Sequence, residues 1–277
     1  MKYDIVRNIR NKLEEEEGIY RHNFNNFENT RGNLKELFFN LCKSIGTPLT
    51  QNSLGDLKLS IKAETHSNND PKIRGPNTNK KLSFHTDRCD VIGFLCLLPA
   101  KNGGENQIVM SSKIENIIKN ERPELHNILC QKFPYKTHTI DEANPLLFCE
   151  QPIFSWRNGF FACSYLRILI DRADKDPDCP YLTDIQKEAL DFMDSVCERK
   201  ELQTCFTLQR GDVLFLNNWT TLHRRTAFKD YEDPYLKRHL LRVWLSMPNS
   251  RPLDDSFQAN FGAVEAGSLR GGIRSFG

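Results

Sequence analysis

Apolar residues recur at helical spacing in four stretches of this chain. Ile5, Val6, Ile9 and Leu13 form one stripe, and Leu34, Leu37, Phe38 and Leu41 form a second. Ile114, Ile117 and Ile118 make a third, and Ile185, Ala189, Leu190, Met193 and Val196 a fourth. Residues three and four apart share a helix face, so each stretch predicts an amphipathic helix. Gly18 is placed to stop a first helix over residues 2–17, whose Glu14–Glu17 run reads as a solvated face. Asn33 with Glu36, Ser112 with Glu115 and Thr183 with Gln186 have capping-box spacing, and Pro123 restarts a helix after the third stripe.

Elsewhere the apolar period is two, or the run is wholly apolar. Residues 82–90 (LSFHTDRCD) lead as a strand into VIGFLCLL at 91–98, and 107–110, 203–208, 212–217 and 239–247 read as further strands. Residues 146–169 predict a strand–turn–strand unit around Arg157-Asn158-Gly159. The polar, Asn- and Pro-rich stretch 64–81 predicts a long loop, either a functional lid or a surface excursion. From about residue 248 the chain reads as loop. Many strands, with helices mainly before and between them, predict an α+β fold built on a β-sandwich or barrel. No repeat or linker divides it. One domain over 1–277 is expected, with a helical part at 1–63 and a tail at 248–277.

Hydrophobic residues make up 39% and charged residues 27% of the 277 positions, and the formal net charge is +2. That balance gives no footprint for nucleic acid or an anionic membrane. No apolar run has the length of a membrane span, and residues 1–18 lack the apolar core of a signal peptide. The nine cysteines are scattered without a CxxC pair, which argues for reduced thiols and a cytoplasmic setting. A small-molecule partner is expected, and nothing in the sequence sets an oligomeric state.

His85 and Asp87 stand two apart, so on a strand both point to one face, opposite Phe84 and Thr86. The pair alone is a weak sign of metal binding, because polar residues at a strand end share that spacing. A distant histidine sharpens it. His223 follows the apolar run 212–217 and a polar corner, where a lone histidine is ordinarily a satisfied core or surface residue. With His85 and Asp87 it completes two imidazoles and one carboxylate. That set occupies one face of an octahedral metal and leaves three positions open, as in non-haem Fe(II) oxygenases. In KRHLLRVWL, Arg238, Leu240, Arg242 and Trp244 share a face. Two guanidinium groups buried there need anionic partners, and a bound dicarboxylate suits arginine's planar fork. Snorkelling from an edge strand is the plainer alternative.

The parts follow in the order FHTDRCDVIGFLCLLPAKNGGENQIVMSS, GDVLFLNN, LHRRTAF and RHLLRVWLS. Over residues 64–247 this order and spacing resemble the TauD/TfdA (clavaminate synthase-like) family of Fe(II)- and 2-oxoglutarate-dependent dioxygenases. The resemblance implies a double-stranded β-helix, or jelly roll, with flanking helices. It implies that His85, Asp87 and His223 bind the iron and carry catalysis. Arg238 then pairs with the C5 carboxylate of 2-oxoglutarate, and Arg242 contacts either that cosubstrate or an anionic group of the substrate. Asn106 stands where many relatives carry Thr or Ser against the oxoglutarate carboxylate, and its amide is also a donor. The implied cofactors are Fe(II), 2-oxoglutarate and O₂. The implied reaction hydroxylates a small polar substrate, such as an amino acid or another amine or carboxylic acid, and releases succinate and CO₂. The substrate would be anionic or zwitterionic, and desaturation or cyclisation stays open. Asp87 argues against halogenation, since halogenating relatives carry Gly or Ala there.

Two other classes keep a place. A hydrolase holding Zn²⁺ with the same three residues leaves the paired arginines without a dicarboxylate. A non-catalytic ligand-binding jelly roll would ordinarily have lost a ligand or Arg238. Around the site, Cys89 reads as a small buried hydrophobe, and Asn218 and Arg225 as supports for the loop and His223. Trp156 and Trp219 read as packing residues, and Arg167 as either a pocket or a strand-edge residue.

Overall fold

The computed structural model describes residues 2–24, 33–63, 77–137 and 145–273. Helix α1 (Lys2–Glu14) and strand β1 (Ile19–Asn23) precede α2 (Leu34–Ile45), β2 (Thr47–Leu49) and β3 (Leu59–Ile61). Strands β4 (Val91–Leu98), β5 (Asn102–Gly103) and β6 (Asn106–Met110) lead to α3 (Ser111–Glu121) and α4 (Pro123–Leu129). Next come β7 (Lys132–Lys136), β8 (Phe148–Pro152), β9 (Phe154–Arg157), β10 (Phe160–Cys163), α5 (Arg167–Asp174) and α6 (Asp184–Cys197). The chain continues through β11 (Thr204–Phe206), β12 (Asp212–Asn217), β13 (Thr221–Arg225), β14 (Phe228–Lys229), β15 (His239–Ser246) and α7 (Gln258–Phe261).

Two of the three expected caps form. The Asn33 side chain accepts from the Lys35 amide, and Thr183 with Gln186 makes a reciprocal capping box. Ser112 with Glu115 does not: α3 begins at Ser111, and Glu115 turns inward to hydrogen-bond His126 at 2.6 Å. Helix α1 stops at Glu14, short of Gly18, which sits at φ +69° in the turn into β1. Asn158 and Gly159 both take positive φ and close the β9–β10 hairpin. Beyond that hairpin the strand reading of 146–169 fails, because residues 167–174 form helix α5. Ile170 and Ala173 bury one face of α5, while Arg167 pairs with Asp171, Asp191 and Asp194 on the other. Of the loop read at 64–81, residues 64–76 lie outside the described residues.

Mixed helix and antiparallel sheet result. One sheet has the order β1-β12-β4-β15-β2, with β3 also pairing β15, and a second has the order β11-β6-β13. Period-two alternation sorts the first sheet's residues cleanly. Val91, Leu95, Val213, Phe215, Leu241, Val243 and Leu245 meet Ile9, Leu13, Phe38, Cys42 and Ile45 of α1 and α2. The opposite face sends Ile92, Cys96, Leu214, Leu216, Leu240 and Trp244 to a cluster shared with Ile108 of the second sheet. The far face of that second sheet, through Val109 and Leu222, packs on α3, α4 and α6. Side chains between the two sheets therefore come from both, and that shared interior receives the candidate site. Among the described residues no helix is long and apolar enough to cross a membrane.

Candidate active site

Residues 82–90 do not form the strand their pattern suggests. His85 makes a single antiparallel bridge with His223, each amide donating to the other's carbonyl at 3.1 and 3.0 Å. The ladder stops there, because the chain turns: the Cys89 amide donates back to the Asp87 carbonyl at 2.9 Å. The Asp87 amide donates instead to Oδ1 of Asn218 at 3.0 Å. Phe84 and Thr86 still point away from His85 and Asp87 and are buried.

His85, Asp87 and His223 come together, each with a ligating atom within 4.8 Å of the others. Oδ2 of Asp87 lies 3.2 Å from Nε2 of His223 and 3.8 Å from Nε2 of His85, yet it is buried without a well-formed hydrogen bond. Nδ1 of His85 lies 2.8 Å from the Ser83 carbonyl, which fixes that nitrogen as the donor and leaves a lone pair on Nε2. Burial and the neighbouring His223 push the His85 imidazole down to about 4, so it is neutral near pH 7. Burial alone would raise Asp87, but His223, Arg242 and His85 outweigh it and hold the carboxyl well below the usual range. The neutral His85 imidazole and the ionised Asp87 carboxylate are donors that a divalent cation accepts, His223 adds a third nitrogen ligand, and such an ion would satisfy the orphaned Oδ2. The residues fit the group.

Arg242 projects from β15 beside this trio, with Nη1 3.6 Å from Asp87 Oδ1. Its Nε donates to Oε1 of Gln51 at 2.8 Å, and Gln51 returns a bond from Nε2 to the Arg242 carbonyl at 3.1 Å. Arg238, just before β15, is buried, and among the described residues its guanidinium meets no carboxylate within ion-pair distance. It and Arg225 flank the Phe228 ring at 5.1 and 4.6 Å. Burial pulls both guanidinium groups down to about 10, with the Arg238 charge adding to the effect on Arg225. Arg225 still reaches two carbonyls, those of Thr78 and Thr226. Asn106 stands opposite Arg225 in the β6–β13 register, half-buried, with Nδ2 3.4 Å from the Phe206 carbonyl. Arg167 lies on α5 among its aspartates, so the pocket role weighed for it lapses. Cys89 is fully buried, and its Sγ accepts from Asn218 Nδ2 at 3.0 Å.

This geometry can be set beside known proteins. The model of the taurine catabolism dioxygenase TauD, TfdA family matches residues 19–244. The chain belongs to the TauD/TfdA family. Among TauD/TfdA relatives, FR-33289 synthase of Streptomyces rubellomurinus is 31% identical over 228 residues, covering 80% of this chain and 66% of that protein. The taurine hydroxylase-like protein SAT17 of Stachybotrys chartarum is 27% identical over 202 residues, covering 69% of this chain and 51% of that one. The chain thus spans just under two thirds and about half of these relatives' lengths. An asparagine oxygenase in complex with Fe(II), 2S,3S-3-hydroxyasparagine and succinate superposes with a TM-score of 0.67 at 14% identity, covering 88% of this chain and 79% of that one. The non-heme iron oxygenase OrfP in complex with Fe and alpha-ketoglutaric acid gives 0.61 at 17% identity, covering 95% and 86%. These two likenesses establish a shared fold.

Two features of this TauD/TfdA chain are silent in its sequence. Gln51 is fully buried against Arg242, although TQNSLG reads as an ordinary surface turn. Arg270 is equally buried within a Gly-rich tail that reads as loop. Strand β13 was hidden too, since TLHRR has no apolar alternation, yet it carries His223 and Arg225.

Proposed function

We propose that this chain is an Fe(II)- and 2-oxoglutarate-dependent oxygenase that hydroxylates a small amino-acid-like substrate. The observation that carries this reading is the convergence of two Nε2 atoms on the buried Oδ2 of Asp87, together with a buried Arg238 guanidinium that meets no carboxylate within ion-pair distance among the described residues. His85, Asp87 and His223 would hold the iron. Arg238 would pair with the distal carboxylate of oxoglutarate. When bound, the metal with oxoglutarate and O₂ supplies oxidising power sufficient for an unactivated C–H bond, with succinate and CO₂ as coproducts.

The protein's own part is electrostatic and positional. Asp87 stays ionised because His223, Arg242 and His85 surround it, and His85 stays neutral because it is buried. The Ser83 carbonyl sets which nitrogen of His85 carries the proton. Arg225 and Arg238 place two positive charges around Phe228 in an apolar wall, where an incoming carboxylate displaces little water and forms charge-assisted bonds. Asn106 would add an amide donor on the same side. Arg242, already committed to Gln51 and Asp87, leaves some reach toward a second anionic group.

An amino acid or a similar zwitterion suits a site this cationic, and the solved relatives bound to hydroxyasparagine and hydroxy-L-arginine support that class. We also take the two sheets to be the halves of a double-stranded β-helix, one domain with flanking helices. The test is anaerobic titration with Fe(II) and then 2-oxoglutarate, watching for the weak visible charge-transfer band. The band should form in the parent, vanish in His85→Ala and weaken in Arg238→Ala. Succinate release would then rank amino acids. A parent that binds metal but never develops the band overturns the oxygenase reading.

A further inference from the structure

Beyond the residues matched by the family model, which end at 244, the chain returns to the turn that carries Asp87. The side chain of Arg270 is 0% exposed and that of Asp90 1%, and Nε of the first lies 2.6 Å from Oδ1 of the second. Nη2 of Arg270 donates to the Arg251 carbonyl at 2.8 Å. The Asp90 carboxylate also accepts from Trp219 Nε1 and from the Met247 amide, each at 2.9 Å. Two residues earlier the same tail grips again. The Gly272 amide donates to the Arg88 carbonyl at 2.8 Å, and Arg88 Nε donates to the Asn260 carbonyl at 2.7 Å. Gly271, at φ +78°, passes so close that a Cβ there would stand 2.6 Å from the Arg88 carbonyl oxygen. Residues 88 and 90 are both fastened to the tail.

The Asp87 carboxylate lies against Arg242 and His223, but its backbone is held by the turn alone. The β-ladder ends at His85, and the Asp87 amide leans on Asn218, whose own amide donates to the Asp90 carbonyl at 2.9 Å. Among the described residues the turn is held through Asn218 to Asp90, through Arg88 and Arg270 to the tail, and at Asp90 by β15 and its following residue, the Asp90 amide donating to the Leu245 carbonyl at 3.1 Å. A buried ion pair is no efficient way to gain stability, since well-packed apolar residues do as well or better. Its worth lies in where it pins the chain.

We propose that the C-terminal segment, through Arg270, is a positioning device that sets the Asp87 carboxylate for metal binding. This rests on the reading of Asp87 as a metal ligand. Arg270 touches neither metal nor substrate; it acts through Asp90, Asn218 and the 87–90 turn. Groups that orient metal ligands in this way alter affinity by about 10- to 100-fold when lost.

The experiment titrates Co(II) into the full chain and into Arg270→Met, Arg270→Lys and Asp90→Asn, well below each melting temperature. It follows affinity and the visible ligand-field spectrum, with hydrogen exchange of the Asp87, Cys89 and Asp90 amides measured without metal. Arg270→Met should bind Co(II) about tenfold or more weakly, with a changed spectrum and faster exchange confined to that turn, and Arg270→Lys should recover part of the loss. Should Arg270→Met not fold, Gly271→Ala, which displaces the tail from Arg88 without removing a charge, makes the same comparison. Folded variants with the parent's Co(II) affinity, spectrum and exchange overturn the inference, however far their melting temperatures fall. A parent that binds no Co(II) overturns instead the metal-site reading beneath it.

Discussion

Gln51 and Arg242 clasp each other out of water, the glutamine accepting from the guanidinium Nε at 2.8 Å and donating to the arginine's own carbonyl at 3.1 Å. The clasp fixes the remaining arm of the guanidinium, whose Nη1 stands 3.6 Å from Asp87 Oδ1. Gln51→Leu removes the acceptor from a buried charged donor, a loss that costs about 1–3 kcal/mol. Urea unfolding should show that drop, and metal titration a weaker site, because Arg242 no longer steadies Asp87. Unchanged metal affinity in a destabilised variant would separate the clasp from the site.

Arg238 offers a sharper measurement. Its charge persists at pH 7 even after burial draws it down to about 10, and among the described residues no carboxylate reaches its guanidinium within ion-pair distance, the Asp230 side chain accepting from the Arg238 amide instead. Removing one side of a buried charged pair costs about 2–5 kcal/mol, so Arg238→Gln should raise the oxoglutarate Kd roughly 30-fold or more. Arg238→Lys keeps the charge without the fork and should lose less. Iron affinity should stay near the parent's in both. An unaltered oxoglutarate Kd would remove Arg238 from the cosubstrate site.

Stability should fall on mild acidification for a reason outside the site. Burial, with the Lys62 and Lys35 charges, lowers the His239 imidazole from 6.5 to about 4. The unfolded chain then binds more protons than the folded one between those values. Stability from this group is full above about pH 6.5 and drains away as pH falls toward 4. His85 shifts in the same direction. Melting temperatures from pH 7 to pH 4 should decline less steeply in His239→Gln; an identical slope would acquit His239.

Gly93 sits in β4 against two phenyl rings. A Cβ there would come 2.7 Å from Cε1 of Phe215 and 3.3 Å from Cζ of Phe38, both rings fully buried. Gly93→Ala should therefore destabilise by about 1–3 kcal/mol through overpacking, read as a lower urea midpoint with an unchanged slope. A neutral or stabilising result would mean that α2 yields at Phe38.

Much of the centre was legible because its chemistry is stated in residue types that have few other uses together. His85, Asp87 and His223, which the fold brings together, and Arg242 beside them could be picked out by order and spacing before any geometry. What the sequence hid has a physical cause. Three of the five residues of β13, His223, Arg224 and Arg225, are buried ionisable side chains, so the strand lacks the apolar alternation that announces one. Residues 82–90 alternate like a strand, yet Asn218 takes the amide that a neighbouring strand would have used. Helix α5 escaped because only Ile170 and Ala173 bury, too few positions to show a period. Gln51 and Arg270 look like surface residues in turns, and only their partners, distant in sequence, make their burial affordable.

The shared interior between the two sheets carries one more consequence. His85 and His223 meet there across half of the chain, and Arg242 arrives from the opposite sheet. Contacts so remote in sequence form only after large loops have closed. Metal affinity in a refolding chain is therefore a clock for completion: half-built molecules carry every ligand and own no site.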